Sequence, residues 1–298
     1  MTQTLTASAP RRGAGAAFAA LVAGALAMGI SPIFVRWADV GPFTSAFWRV
    51  FLALPALYVW MRLSEHGTEA GRTPGLRFSW PTLLAGLAFT GDLLFWHLSI
   101  VTTSVANATF FATTAPVWVV AFGWLIFGER ARGSTLAGLA LCLAGGVALL
   151  AHSLQFDASR ALGDLFGLVT GVFFGLYFLA VQAARKEQSA ARVTFEATIL
   201  TAALLFLVAW VFERAMLPRS FGGWLALLGM AWISHAGGQG LLAVALGRLP
   251  AAFSSLVIFL EAIAAAGFAY LLLDEPVTQV QALGGLLILA GIFVARPK

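Results

Sequence analysis

The sequence predicts an all-α polytopic membrane protein: ten transmembrane helices in two inverted five-helix repeats, with both termini cytoplasmic. Three observations predict it. Hydrophobic residues are 60% of the 298 and charged residues 10%, against roughly 45–50% and about 25% in soluble domains. That much apolar surface calls for lipid as solvent. The apolar residues fall into ten runs near the ~20 residues a spanning helix needs. Finally, TTAPVWVVAFGWLIFGERARG at 113–133 rhymes with FLEAIAAAGFAYLLLDEPVTQ at 259–279, a displacement of 146 that sets Glu129 on Glu275.

The runs follow in order. The first, 14–35, comes after a polar start carrying Arg11 and Arg12. Many runs follow it, so it reads as a retained span and not a cleaved signal. The second, 43–61, starts after Gly41-Pro42 and holds Arg49, readable as a gate or anion contact, or as an interfacial anchor. The third, 79–97, carries Asp92, Trp96 and His97. Asp92 and Trp96 are four apart and share a helix face: a cavity wall with an aromatic platform, or a polar helix end.

The fourth run, 103–127, is separated from the third by the barely polar SIVTT. One helix over both would rise about 70 Å across a core of ~30 Å, so a tight turn is expected there. This run offers Asn107, Thr109, Thr113 and Thr114 before Pro116. Small and hydroxylated residues permit close packing. Asn107 is a candidate solute contact, because its amide needs partners in hydrocarbon, and Pro116 can bend the helix. The fifth, 134–151, contains the lone Cys142, expected to pack as a small hydrophobe.

In the second half, the sixth run, 161–181, places Tyr177 about midway, and the seventh, 193–212, has Glu196 near its cytoplasmic end. The eighth, 222–245, contains AWISHAGGQGLL, with His235 and Gln239 four apart among glycines that admit close neighbours. The ninth, 251–273, brings Ser254, Ser255 and then Glu261, a mid-membrane carboxylate that should face a wet cavity, carry a proton or meet a partner. The tenth is 277–295, after Pro276.

With the N-terminus inside, thirteen Lys and Arg fall in cytoplasmic segments, four outside and Arg49 within a span, a strong positive-inside bias. The repeats are bounded at 14–152 and 160–295. Each holds five spans, an odd number, so they enter the membrane in opposite senses. Two packings of such halves can open to either side of a midplane site, a transporter device. The net charge of +5 sits at helix ends and not along a face, which argues against nucleic acid. No catalytic, nucleotide or metal motif stands out, and His66, His97, His152 and His235 lack metal-ligand spacing. The expectation is therefore no enzyme, cofactor or metal. The expected partners are a small-molecule substrate and the lipid bilayer, in a monomer or weak homo-oligomer.

The segments SVANATFFATTAPVWVVAFGWLIFGER and SSLVIFLEAIAAAGFAYLLLDEP, with FWR around Arg49 and ALGDLFGLVTGVFFGLYF, resemble the EamA-type drug/metabolite transporters over about 14–295. The resemblance implies a multi-pass carrier of the bacterial inner membrane that exports amino acids or other small metabolites. It assigns Arg49, Pro116, Glu129 and Glu275 to structure and gating. The chain reads Glu261-Ala262 where the family often has Glu-Pro, so a second proline kink is not expected. The many aromatics and paired serines are similar to the aromatic amino acid exporter (YddG-like) branch, which implies a cavity of Trp96, Asn107, Tyr177, His235, Gln239 and Ser254. Arg49, Asp92 and Glu261 remain as gating or coupling candidates. The other readings are export of amphipathic drugs or organic cations, and a membrane scaffold that transports nothing.

Overall fold

A computed structural model describes residues 13–66, 75–150, 158–273 and 277–297. Glu275, with Asp274 and Pro276, lies outside them, as does His152. Within them the protein is an all-α bundle. Its helices are α1 (Ala14–Gly29), α2 (Ser31–Trp37), α3 (Pro42–Phe51), α4 (Leu54–Ser64), α5 (Trp80–Thr102), α6 (Val105–Ala112), α7 (Ala115–Phe127) and α8 (Gly133–Leu150). There follow α9 (Ala161–Ala184), α10 (Ala190–Phe212), α11 (Phe221–Gly229), a π-helix (Met230–Gln239), α12 (Gly240–Leu246), α13 (Ala251–Val257), α14 (Leu260–Leu273) and α15 (Gln279–Ala295). Among the described residues, seven stretches are long and apolar enough to cross a membrane, and Gln279–Ala295 is among the shorter apolar helices.

Several spans expected to be continuous are broken. Prolines mark most of the breaks: Pro32, Pro55 and Pro116 lie in the first turn of α2, α4 and α7, where a missing N–H costs nothing. The ninth span breaks without one. Between α13 and α14 the amides of Phe259, Glu261 and Ala262 bond three residues back, to Leu256, Ile258 and Phe259, at 3.1, 2.8 and 3.1 Å. Packing holds this break. A side chain at Gly29 of α1 would meet the Glu261 carbonyl at 2.9 Å and Ala264 Cβ at 2.6 Å. At the other break a side chain at Gly175 of α9 would meet the Ala115 carbonyl at 3.1 Å and Trp118 Cβ at 2.8 Å. Each of these three residues stands 146 positions from its counterpart. The second break thus forms with Ala262 where the first has Pro116, against a neighbouring helix.

The turn expected at 98–102 falls at Thr103-Ser104, where the Ser104 hydroxyl caps α6 by accepting from Asn107 N at 3.0 Å. Gly128 ends α7 with φ of +68°, the left-handed conformation glycine adopts freely. Ala14, Glu129, Arg248 and Arg296 surround one pocket, so both chain ends share one end of the bundle, here the terminal end. Arg36, Thr102 and Arg160 gather at the far end. There the Glu213 carboxylate accepts from the Phe43 and Thr44 amides at 2.8 and 2.9 Å, capping α3.

α8 and α15 form the tightest crossing. A side chain at Gly138 would meet the Gly291 carbonyl at 2.5 Å, and one at Gly145 the Gly284 carbonyl at 2.6 Å. One index rises as the other falls, so the helices run antiparallel. Cys142 lies between them, buried, its thiol donating to the Ile288 carbonyl at 3.6 Å.

Gly145→Leu has no room at this crossing and should destabilise the protein by about 1–3 kcal/mol, read as a lower Tm in detergent. Gly285→Ala, which meets only Ile263 at 3.9 Å, should leave Tm unchanged or raised.

Candidate functional site

The broken spans converge on one internal cavity of about 40 Å³. α3 supplies Arg49, α5 supplies Asp92 and Trp96, the π-helix supplies Gln239 and α14 supplies Glu261. Roughly 10–15 Å³ holds one water, so the cavity is narrow and fits a few waters. Arg49 and Glu261 reach this point from broken spans, Asp92 and Trp96 from the unbroken α5. An interrupted helix exposes backbone and turns side chains inward, which is tolerated at membrane depth only where protein or a cavity receives them.

Arg49 is 5% exposed and Asp92 7%, and Glu261 is half-buried. The Arg49 guanidinium lies 5.6 Å from the centre of the Trp96 ring. Its Nε has no protein partner, and neither Asp92 nor Glu261 approaches it within ion-pair distance. Two carboxylates and one guanidinium thus share a cavity wall without closing on each other, an arrangement costly in hydrocarbon. Gln239 donates Nε2 to the Met28 sulfur at 3.2 Å, and its Oε1 has no protein partner.

Thr109 and Thr113 also line the cavity; the remaining sequence candidates lie elsewhere. Tyr177 and His235 both pack on Phe89, with ring centres 4.8 and 5.2 Å away, beside the cavity and not in its wall. His235 Nε2 pairs with the Thr198 hydroxyl at 2.9 Å, so His235 turns toward α10 while Gln239 turns toward α1. Asn107 is buried near the far end, where Nδ2 donates to Asp164 Oδ1 at 2.8 Å. Ser254 is buried in α13, its hydroxyl without a protein partner. Pro116 is buried in the first turn of α7. Glu129 is exposed and lines a vestibule of about 640 Å³ at the terminal end. Among the described residues no group of three His, Cys, Asp or Glu could hold a metal ion.

Sequence reasoning passed over Met28 and Pro32, which also line the cavity. The run Gly29-Ile30-Ser31-Pro32 was the available signal. It also missed a buried network at the terminal end. Arg192 of α10 forks onto Glu65, Nε to Oε1 at 2.8 Å and Nη2 to Oε2 at 2.5 Å, and reaches Glu196 at 3.1 Å. Glu196 is fully buried and also accepts from the Arg77 amide at 2.7 Å and Gln188 Nε2 at 3.1 Å. The hydrogen bonds from Arg192 hold the Glu65 carboxyl below its ordinary value, against the opposing effect of burial. The network ties the end of α4, the start of α5 and the α9–α10 turn together.

The comparisons with known proteins agree with one another. The model of the EamA-like transporter family matches residues 15–151 and again 161–296. Two relatives from Archaeoglobus fulgidus are each described as an uncharacterized transporter. One is 28% identical over 278 residues, 93% of this chain and 95% of the relative. The second is 26% identical over 265 residues, 87% and 89%. A solved crystal structure superposes with a TM-score of 0.80 at 20% identity, covering 94% of this chain and 97% of the other. At that identity the likeness speaks to the fold alone.

Removing one partner of a buried ion pair strands the other, so Glu65→Gln should cost about 3 kcal/mol at neutral pH. The wild-type advantage should be complete above the ordinary carboxyl value of 4.5. It should drain away as pH falls through the lower value of the folded state. Denaturation of both proteins across that acid window should therefore converge, and curves that stay parallel would remove Glu65 from the account.

Proposed function

The chain belongs to the EamA-like transporter family, and from that premise we propose that it exports neutral amino acids, aromatic ones included. It is a secondary transporter of small metabolites across a membrane, as its family is. The proposal extends to a bacterial inner membrane crossed ten times, with two five-helix repeats of opposite sense and both termini cytoplasmic. The antiparallel glycine crossing of α8 with α15, and the one helix break that recurs at a 146-residue offset, between α6 and α7 and between α13 and α14, support that topology.

One observation carries the substrate class: Arg49, Asp92 and Glu261 around a single narrow cavity, unpaired with each other. A zwitterion supplies what each lacks. Its carboxylate matches the guanidinium fork, its ammonium matches Asp92 or Glu261, and an aromatic side chain would lie against Trp96 and Phe174. The small volume fits a carrier, because a site that must expand to load has a second packing to move to. The reading of amphipathic organic cations as substrates draws on the same wall, where carboxylates outnumber the guanidinium two to one.

Liposomes loaded with labelled phenylalanine, tryptophan, threonine or an organic cation separate these readings. Amino acid efflux should saturate, and Arg49→Gln should lower it at least about tenfold, the loss of one charge-assisted contact. Efflux of the organic cation alone, untouched by Arg49→Gln, would favour the cation reading. Absence of flux for every solute would favour a scaffold.

A further inference from the structure

The two halves differ where they ought to match. In the second half, α9 places Gly163, Gly167, Gly171 and Gly175 four residues apart and all buried. A side chain at Gly163 would meet Thr102 at 2.7 Å, at Gly167 Phe111 at 2.9 Å, and at Gly171 the Thr114 hydroxyl at 2.5 Å. The first-half counterparts, 146 residues earlier, are Ala17, Leu21, Ala25 and Gly29. α6 therefore packs along α9 at the far end, whereas the counterpart pair, α13 and α1, meets at few points. The polar residues diverge in the same place. At the far end Asp164 Oδ1 accepts from Thr103 Oγ1 at 2.7 Å and from Asn107 Nδ2 at 2.8 Å. The positions equivalent to Asp164, Asn107 and Thr103 are Phe18, Phe253 and Leu249. There the two phenylalanine rings stack with centres 6.0 Å apart, beside the open vestibule of about 640 Å³ that Phe253 and Leu249 line.

Resting on the carrier reading above, we infer that Asp164, gripping Thr103 and Asn107, is the gating residue that keeps the cavity shut toward the far end. The glycine face of α9 brings α6 close enough for that grip. Small residues let helix backbones approach, and a carboxylate that accepts two bonds is stronger than a neutral contact. The terminal end has larger side chains and an aromatic contact in the same places, so its helices separate more readily. The sequence itself thus biases the resting protein to open toward the chain termini, and under the proposed topology that is the cytoplasmic side from which an exporter loads. Asp164 touches no cavity wall; it acts by holding α6.

The test reads accessibility and not flux, so a protein that transports nothing still reports. In a Cys142→Ser background, Ala112→Cys puts a thiol in the cavity wall. A charged, membrane-impermeant thiol reagent is then applied from each side of sealed vesicles. Asp164→Ala should speed labelling from the far-end side about tenfold, the population shift that 1.4 kcal/mol of lost bonding produces. It should also slow labelling from the terminal side. Asn107→Ala should move both rates the same way. Asp164→Asn combined with Asn107→Asp keeps a donor and an acceptor in contact with the partners exchanged, and should restore the starting rates. Far-end labelling no faster in either alanine variant, or an exchanged pair that labels like Asp164→Ala, would overturn the assignment.

Discussion

A backbone amide or carbonyl without a partner in hydrocarbon costs several kcal/mol, and the architecture follows from where the chain risks that cost. It interrupts its spans between α1 and α2, α3 and α4, α6 and α7, and α13 and α14. Two of these interruptions lie against a glycine of a neighbouring helix. Gly29 presses on the break before Glu261, Gly175 presses on the break at Ala115, and the π-helix lies against α1. Side chains from broken spans and from the unbroken α5 and α9 together define one cavity, and charges that lipid would not tolerate collect there.

Those charges are held apart rather than satisfied. Arg49 leans on Trp96, while Asp92 and Glu261 stay beyond pairing distance. The contrast with Glu65, Arg192 and Glu196 is instructive. There the same residue types close into a bidentate, fully bonded cluster, as buried charges do when their task is to fix structure. One set ties helices together, and the other leaves its charges unpaired with each other.

Much of the fold was legible, because apolar run length and the 146-residue rhyme are properties of single stretches. The placement of Arg49, Asp92, Trp96, Gln239 and Glu261 around one cavity needed the third dimension, as did the departure of His235 toward Thr198. Two residues four apart share a face in a regular α-helix, but nothing in AWISHAGGQ announces the π-helical winding found there. The break before Glu261 was hidden for a related reason: its cause is Gly29, more than two hundred residues away. Glu65 and Arg192 each look like ordinary helix-end charges, and only their meeting makes them a network. Asp164 gained meaning only when its counterpart proved to be Phe18.

The crossing of α8 and α15 has a mechanical consequence. Gly138 against Gly291 and Gly145 against Gly284 leave no gap in either direction. A slide of one residue along this seam would drive a side chain into a carbonyl. The seam therefore resists sliding, and it shields the Cys142 thiol from aqueous reagents.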